Sequence, residues 1–330
     1  MSYLEVRSLN KFYGSNQIFN DIDFTVDEGE FVTLLGPSGC GKSTLLRCLA
    51  GLTSVSGGQI LLQGQDIVPL SPQARGIGMV FQSYALFPNM TVEGNVAFGL
   101  KMQKHQSAEV KKRVAEALEL VELTDFAKRY PNQLSGGQCQ RVALARSMVT
   151  HPRLLLLDEP LSALDARIRR NLREQIRKIQ QELNLTAIFV THDQEEALTM
   201  SDRIVLMDKG RIVQHGDAET LYTSPVNAFA AGFIGNYNLL SPAQAARLTG
   251  QSFTHQVAIR PESIRFCQPN EGLPAVILSH SLLGNVVRYR VAVHQVELMV
   301  DVLNRSVEDL YTDQTQVGLF VDIQNLKEVA

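Results

Sequence analysis

The 330-residue chain is short of several things, and each shortage excludes a class of protein. Its four cysteines, Cys40, Cys48, Cys139 and Cys267, are scattered with no CxxC pair, which argues against a zinc site or a disulfide framework and fits a reducing compartment. No apolar run approaches the roughly 18 residues that span a bilayer. The most concentrated, Leu154 to Leu157, stops at Asp158. No basic-then-apolar leader opens the chain, so any work at a membrane is expected to proceed by docking onto something else. Lysine plus arginine number 31 against 34 aspartate plus glutamate, a formal charge of −3, which provides no global field for gripping nucleic acid. Repeats, low-complexity segments and sustained heptads are also missing. What remains is 45% hydrophobic and 20% charged, and long enough for about two domains.

The first part alternates two kinds of stretch. "FVTLLG" (Phe31 to Gly36), "RLLLLDEP" (Arg153 to Pro160) and "TAIFVTHD" (Thr186 to Asp193) are short apolar runs bounded by polar or glycine residues. "STLLRCLAGL" (Ser43 to Leu52) has helical spacing, and Ser107 to Val121 is charged and amphipathic. Strand and helix in alternation predict a mostly parallel sheet covered on both faces. Near residue 235 the helical periodicity fades. "HQVAIR", "NVVRYRVAVHQVELMV" and "TQVGLFVDI" alternate at period two between turns, which predicts a small antiparallel sheet or barrel.

"GPSGCGKST", Gly36 to Thr44, satisfies G-x-x-x-x-G-K-[ST] after a strand and before a helix. Glycines let consecutive backbone N–H groups turn inward on a phosphate, and the helix N-terminus adds its positive end. Gly36, Pro37, Ser38, Gly39, Cys40, Gly41, Lys42, Ser43 and Thr44 are therefore expected to cradle a nucleoside triphosphate, Lys42 at the β and γ phosphates and Ser43 on Mg2+. Four leucines then deliver Asp158 to a strand's C-terminal edge, where open α/β sheets hold ligands, to bind magnesium directly or through water. Glu159 follows with its side chain aimed elsewhere, toward an attacking water, which makes it the candidate general base. His192 closes another strand, within expected reach of the γ phosphate. Gln82, after "MVF", is a candidate for the magnesium and water shell. Alone, a histidine is more often structural and a loop glutamine more often a backbone cap; their place beside an ATPase site changes that reading.

These motifs occur in one order with "LSGGQ" (Leu134 to Gln138) and "SALD" (Ser162 to Asp165). Together they resemble the nucleotide-binding subunit of ATP-binding cassette transporters, over roughly residues 3 to 235. The resemblance implies an α/β P-loop NTPase (ABC ATPase) domain over 1–235 with a helical subdomain over about 88–150. It implies that two copies form a head-to-tail homodimer, in which Ser135, Gly136, Gly137 and Gln138 of one copy complete the ATP site of the other. Tyr13 in "KFYG" looks like the residue that stacks on adenine, although an aromatic near a strand is more often core. Asp165 looks like part of the loop that crosses the dimer interface and couples the two sites. "SYALFPNMTVEGNVAFGL" after Gln82 resembles the surface that receives a membrane subunit, with Leu86, Phe87 and Met90 as its apolar contacts. Two positions depart from the pattern: Cys139 stands where the family commonly has glutamine, and Gly94 where it has an acidic residue.

Residues 236–330 resemble the small all-β accessory domain, OB-like and TOBE-type, of importer ATPases of the maltose, polyamine, ferric-ion and phosphonate group, most closely at "VAIRPESIRF" (Val257 to Phe266). The resemblance implies ATP and Mg2+ as cofactors, integral-membrane permease subunits as partners, and a solute-binding protein reached through the permease. It places the chain peripherally on the cytoplasmic face of the inner membrane. Polyamine, ferric-ion or phosphonate cargo is favoured over sugar by the shortness of the last domain. A soluble cassette ATPase acting on nucleic acid or ribosomes is the alternative from another class, and the single cassette and slightly acidic balance speak against it. A third reading makes the C-terminal domain a regulatory module sensing a small ligand or a protein.

Overall fold

The computed structural model describes residues 2–305 and 310–329. Contacts divide the chain into two compact units, one ending at Ala218 and one beginning at Glu219. The first unit opens with β1 (Leu4–Tyr13), β2 (Asn16–Val26), β3 (Phe31–Leu35), α1 (Lys42–Ala50), β4 (Gly57–Leu62), β5 (Gln65–Asp66) and β6 (Ile77–Val80). Three helices follow, α2 (Val92–Met102), α3 (Ser107–Leu120) and α4 (Gly136–Met148). The unit then alternates through β7 (Leu154–Asp158), α5 (Ala166–Glu182), β8 (Ala187–Thr191), α6 (Gln194–Met200), β9 (Arg203–Asp208) and β10 (Arg211–Gly216).

Six strands form one sheet in the order β10-β9-β3-β8-β7-β6, parallel except for the antiparallel edge strand β10. The expected strands at Phe31, Leu154 and Ala187 are its centre, and every residue of β3, β7 and β8 is buried. A second sheet, β2-β1-β4-β5, is antiparallel and was not foreseen from the alternation of strands and helices. The leucine run of β7 shows how the layers are divided. Leu154 and Leu156 enter the core shared with α1 and the antiparallel sheet, while Leu155 and Leu157 enter the core shared with α2, α3 and α4. Strand period two thus sorts one apolar run between two cores, and it sends the next side chain of the first set, Asp158, toward α1.

The helical segment is pinned by Asn95, which is fully buried in α2. Its Oδ1 accepts from the Phe87 N–H at 2.8 Å, and its Nδ2 donates to the carbonyls of Phe87 at 3.1 Å and Met90 at 3.2 Å. Leu86, Phe87 and Met90 are half-buried, with Phe87 against Phe98 at 4.5 Å between ring centroids. Gly94 does not leave the helix start loose, because the Thr91 side chain accepts from its N–H at 3.2 Å.

The second unit holds α7 (Ala218–Thr223), α8 (Ala228–Ile234), β11 (Asn238–Leu240), α9 (Pro242–Thr249), β12 (Gln256–Ile259) and β13 (Ile264–Cys267). It continues through β14 (Leu273–Leu282), β15 (Val286–Val293), β16 (Val296–Leu303), β17 (Gln316–Val321) and β18 (Lys327–Val329). The contact boundary falls upstream of the change in periodicity near residue 235, since Ala231 of α8 packs with Ala258 and Val329 of the strands that follow. All strand pairs are antiparallel, in sheets ordered β11-β12-β18 and β13-β17-β14-β15-β16. One helix stands where helical periodicity fades. Helix α9 carries Ser241 and Gln244 in a reciprocal cap, Pro242 at its first turn and left-handed Gly250 at its end, all start and stop signals in eight residues.

Replacing Asn95 by leucine removes all its hydrogen bonds to the loop at residues 87–91 while keeping the branched shape of the side chain. Unfolding free energy is expected to fall by about 2–3 kcal/mol, the cost of stranding buried backbone groups. Urea denaturation of the full chain measures it, and a change within error of zero would show that the loop is held by its other contacts.

Candidate functional site

The site is assembled by strand order. Because β8 lies between β3 and β7, the loop after β3, the carboxylates ending β7 and the turn after β8 emerge side by side at the C-terminal edge of the parallel sheet. The glycine loop follows β3 directly. Gly39 and Gly41 hold φ of 84° and 104°, a region that side chains resist, and a Cβ on Gly36 would run into the Met207 carbonyl of β9. Lys42, buried, donates from Nζ to the carbonyls of Gly36 at 2.7 Å and Pro37 at 2.9 Å, so its ammonium lies inside the loop's curve. Cys40 is buried in the same loop, and burial pushes its thiol above the usual range.

Asp158 points toward α1 as the strand period requires. The Ser43 hydroxyl donates to its Oδ1 at 2.7 Å, and Arg47 Nη2 lies 4.0 Å from Oδ2. Burial pushes the Asp158 carboxyl above the ordinary carboxylate range, against the opposing hydrogen bond from Ser43 and the charge of Arg47. Glu159 leaves the strand with φ at 43°, in the left-handed region. Its N–H reaches the Val190 carbonyl of β8 at 3.1 Å, and its own carbonyl accepts from the Ser162 hydroxyl at 2.9 Å. This turn aims the carboxylate at two other strand ends. Oε2 accepts from Gln82 Nε2 at 3.4 Å and lies 3.3 Å from His192 Nδ1, and Gln82 Nε2 is also 3.3 Å from Ser162 Oγ.

The structure therefore brings together Lys42, Ser43, Gln82, Asp158, Glu159 and His192. Tyr13 sits apart from this group, half exposed at the end of the β1–β2 hairpin with Lys11 Nζ 4.5 Å from its ring centroid. The same hairpin reaches the phosphate loop at Ile18, whose carbonyl would lie 3.2 Å from a Cβ on Gly41. Ser135 and Gln138 bond to one another, each side chain accepting from the other's N–H and so capping α4. Ser135 and Gly136 are exposed, whereas Gly137 is buried with its missing Cβ 2.9 Å from Ile168 of α5. Asp165 caps α5 by accepting from the Ile168 N–H at 3.0 Å. Cys139 lies one residue past the LSGGQ stretch with Sγ 3.6 Å from the Pro131 carbonyl.

Sequence reading passed over Arg47 beside Asp158 and Arg169, and it named Ser162 only as part of the interface loop, not as the partner of both Gln82 and Glu159. Ser162 was legible in principle, since a serine three residues after a strand-ending carboxylate is placed to bond back to its carbonyl. Arg47 and Arg169 depend on which elements the fold sets side by side.

A glycine-rich loop between strand and helix, with a hydroxyl and two carboxylates across from it at a parallel sheet edge, defines a P-loop nucleoside triphosphatase. Comparison with known proteins narrows this. Residues 19–162 match the family model for ABC transporters, and residues 257–325 match that for the TOBE domain. The chain is 54% identical over 248 residues, 75% of its length and 67% of the relative's, to the spermidine/putrescine import ATP-binding protein PotA of Haemophilus influenzae. It is 55% identical over 236 residues (72% and 63%) to PotA of Aggregatibacter actinomycetemcomitans, and 52% over 248 (75% and 66%) to PotA of Shigella dysenteriae serotype 1. The chain spans about two thirds of the length of these relatives. It belongs to the ABC transporter ATP-binding family: it is an ATPase coupled to transport, with a C-terminal TOBE domain.

A carboxyl whose value is raised in the folded state holds its proton more tightly folded than unfolded. Its contribution to stability falls as pH rises through the ordinary carboxylate range toward the raised value, and at neutral pH it is a net cost. Asp158→Asn is therefore expected to raise the thermal midpoint of the nucleotide-free chain at pH 7 by about 2–4 °C, a gain that shrinks as pH falls below the carboxylate range. Calorimetry against pH checks this. A lower midpoint at pH 7 would show that the Ser43 and Arg47 contacts outweigh desolvation.

Proposed function

We propose that this chain energises the uptake of small polyamines, working as a homodimer on the cytoplasmic face of the membrane against permease subunits that a solute-binding protein supplies. The cargo rests on the identity of 54% over 248 residues to a protein named for spermidine and putrescine import. Among the described residues no helix is long and apolar enough to cross a membrane, which fits a subunit that docks. Nucleic acid has no part in this reading, in keeping with the formal charge of −3.

The catalytic assignment is carried by one observation: Glu159 is turned off the end of β7 so that its carboxylate meets Gln82 and His192 while its neighbour Asp158 meets Ser43. The Ser43 hydroxyl and the Asp158 carboxylate are hard oxygen donors, and magnesium is held by one or two protein ligands together with substrate phosphate oxygens and water. That donor set fits Mg2+, and Gln82, bonded to Glu159 and Ser162, would join the water shell around it. Bound there, the ion would neutralise charge on the phosphates. Lys42 supplies a second positive partner to those phosphates, and the N–H groups of residues 36–44 the rest of the cradle. Glu159 takes the proton of the attacking water, and His192, whose Nδ1 lies 3.3 Å from Glu159 Oε2, donates a hydrogen bond to the γ phosphate. Tyr13 stacks on the adenine.

The exposed start of α4 completes the site of the other copy. Ser135 and Gly136 offer a hydroxyl, N–H groups and the positive end of a 13-residue helix to a γ phosphate. Asp165 and its loop lie along the same interface. Hydrolysis removes the shared anion and releases the clamp.

Glu159→Gln is expected to keep the affinity for Mg·ATP within about twofold, to lower turnover by about 100-fold or more, and to accumulate an ATP-bound dimer. Lys42→Ala is expected instead to weaken nucleotide binding by about tenfold or more, through loss of a charge-assisted contact. Both are measured on the chain purified with its membrane partners, by nucleotide titration, phosphate release and light scattering. Undiminished hydrolysis in Glu159→Gln would show that another group is the base. Uptake of labelled spermidine by the same complex in vesicles tests the cargo, and uptake of an unrelated solute alone would overturn it.

A further inference from the structure

One arginine touches both loops that carry the proposed chemistry without touching Glu159 itself. Arg169 lies in the first turns of α5. Its Nη2 donates to the Leu164 carbonyl at 3.1 Å, in the loop that begins with Ser162, and its Nη1 donates to Asp193 Oδ2 at 3.2 Å, the residue immediately after His192. Beyond this bond and the 3.3 Å approach of Glu159 to His192, the His192 turn is held from within. Asp193 Oδ1 caps α6 by accepting from the Glu196 N–H at 3.1 Å, the Asp193 N–H donates to Thr191 Oγ1 at 3.0 Å, and the Thr191 hydroxyl donates to the buried Glu196 carboxylate at 2.5 Å. Arg169 joins this compact turn to the loop that places Ser162, which in turn bonds to Gln82 and to the Glu159 carbonyl.

The chemistry of the link suits positioning better than stability. A guanidinium is a rigid planar fork, so two of its N–H groups fix the angle as well as the distance between two acceptors. The third donor, Nε, is buried with no hydrogen-bond partner, 3.9 Å from Glu196 Oε1. A stranded donor is a cost that a side chain kept only for holding α5 to α6 need not carry. Arg173, one turn further along α5, instead makes a 2.8 Å ion pair with Glu195, on α6 itself.

We propose that Arg169 is a positioning residue for hydrolysis, which keeps the Ser162–Asp165 loop and the His192 turn in one register so that displacing either displaces the other. The proposal rests on the assignment of Glu159 and His192 above. The loop that would face the second copy is thereby tied to the group that would face the γ phosphate.

The test compares Arg169→Gln, Arg173→Gln and His192→Ala in the full chain assembled with its membrane partners, by steady-state ATP hydrolysis and nucleotide affinity. Arg169→Gln is expected to lower kcat by about tenfold or more with KM and nucleotide affinity within twofold, the signature of a misplaced group rather than a lost binding contact. Arg173→Gln, which loses an ion pair between the same two helices, is expected to keep kcat within about twofold. Equal losses in the two arginine variants, or loss of affinity together with kcat in Arg169→Gln, would reduce Arg169 to a structural tie and overturn the proposal. Wild-type turnover in Arg169→Gln with activity lost in His192→Ala overturns the proposal alone, whereas full activity in His192→Ala withdraws the catalytic assignment and the proposal with it. Should Arg169→Gln not fold, Arg169→Lys, which keeps the charge but cannot span both acceptors, is held to the same criteria.

Discussion

The first unit is organised around a carboxylate that folding forces out of water. Asp158 ends a strand whose four preceding residues are leucines, buried between two cores, so the chain has no freedom to turn it outward without breaking the register of β7 with β6 and β8. Its charge is tolerated because Ser43 and Arg47 face it, and these stand on α1, the helix that opens at the phosphate loop. One desolvated charge therefore couples the position of β7 to the position of the loop. The arrangement is costly for a protein alone, and a divalent cation arriving with a polyphosphate would supply the counterion that Arg47, 4.0 Å away, provides only in part.

The adjacent residue solves a different problem. Had β7 continued as a strand, Glu159 would have followed Leu155 and Leu157 toward the helical core. A left-handed φ of 43° turns it back over the sheet edge, and this conformation is uncommon for a residue with a side chain. It is fastened at both ends, by the Val190 carbonyl and by Ser162. Two neighbouring carboxylates on one strand thereby acquire separate surroundings, one paired with a hydroxyl and an arginine, the other with an amide and an imidazole. Separate surroundings are what separate roles in metal binding and proton transfer require.

Much of this was open to reading in the chain itself. The central parallel strands and the glycine loop follow from short apolar runs bounded by glycine or acid, and the gathering of Lys42, Ser43, Gln82, Asp158, Glu159 and His192 follows once those runs are set in one sheet. The antiparallel sheet β2-β1-β4-β5 escaped because its long, irregular strands alternate poorly: β1 and β2 carry several register shifts, and their burial does not run cleanly at period two. Helix α9 escaped because eight residues give too few turns for periodicity to register, although its caps were in plain view. Arg169 and Arg47 were out of reach for another reason. A surface-looking arginine in a charged helix is indistinguishable by pattern from one that bridges two loops, and only the packing of α5 against α6 and of α1 against β7 separates them.

The two glycines after Ser135 show why a motif and its chemistry need to be argued residue by residue. Gly137 is buried, and a side chain there would press on Ile168 of α5. Packing within one copy therefore accounts for that glycine, and it carries no independent weight for a phosphate site. Gly136 is exposed, and its missing Cβ would stand 3.1 Å from Leu164, in the same loop whose carbonyl Arg169 holds. Movement of that loop is thus felt at the start of α4 by direct contact. The end of α4 meets a different part of the molecule: Arg146 in its last turn donates to the carbonyls of Tyr84 at 2.9 Å and Ala85 at 2.7 Å, two consecutive residues held at positive φ. Helix α4 thus contacts the Ser162–Asp165 loop at its start and a strained, half-buried apolar loop at its end.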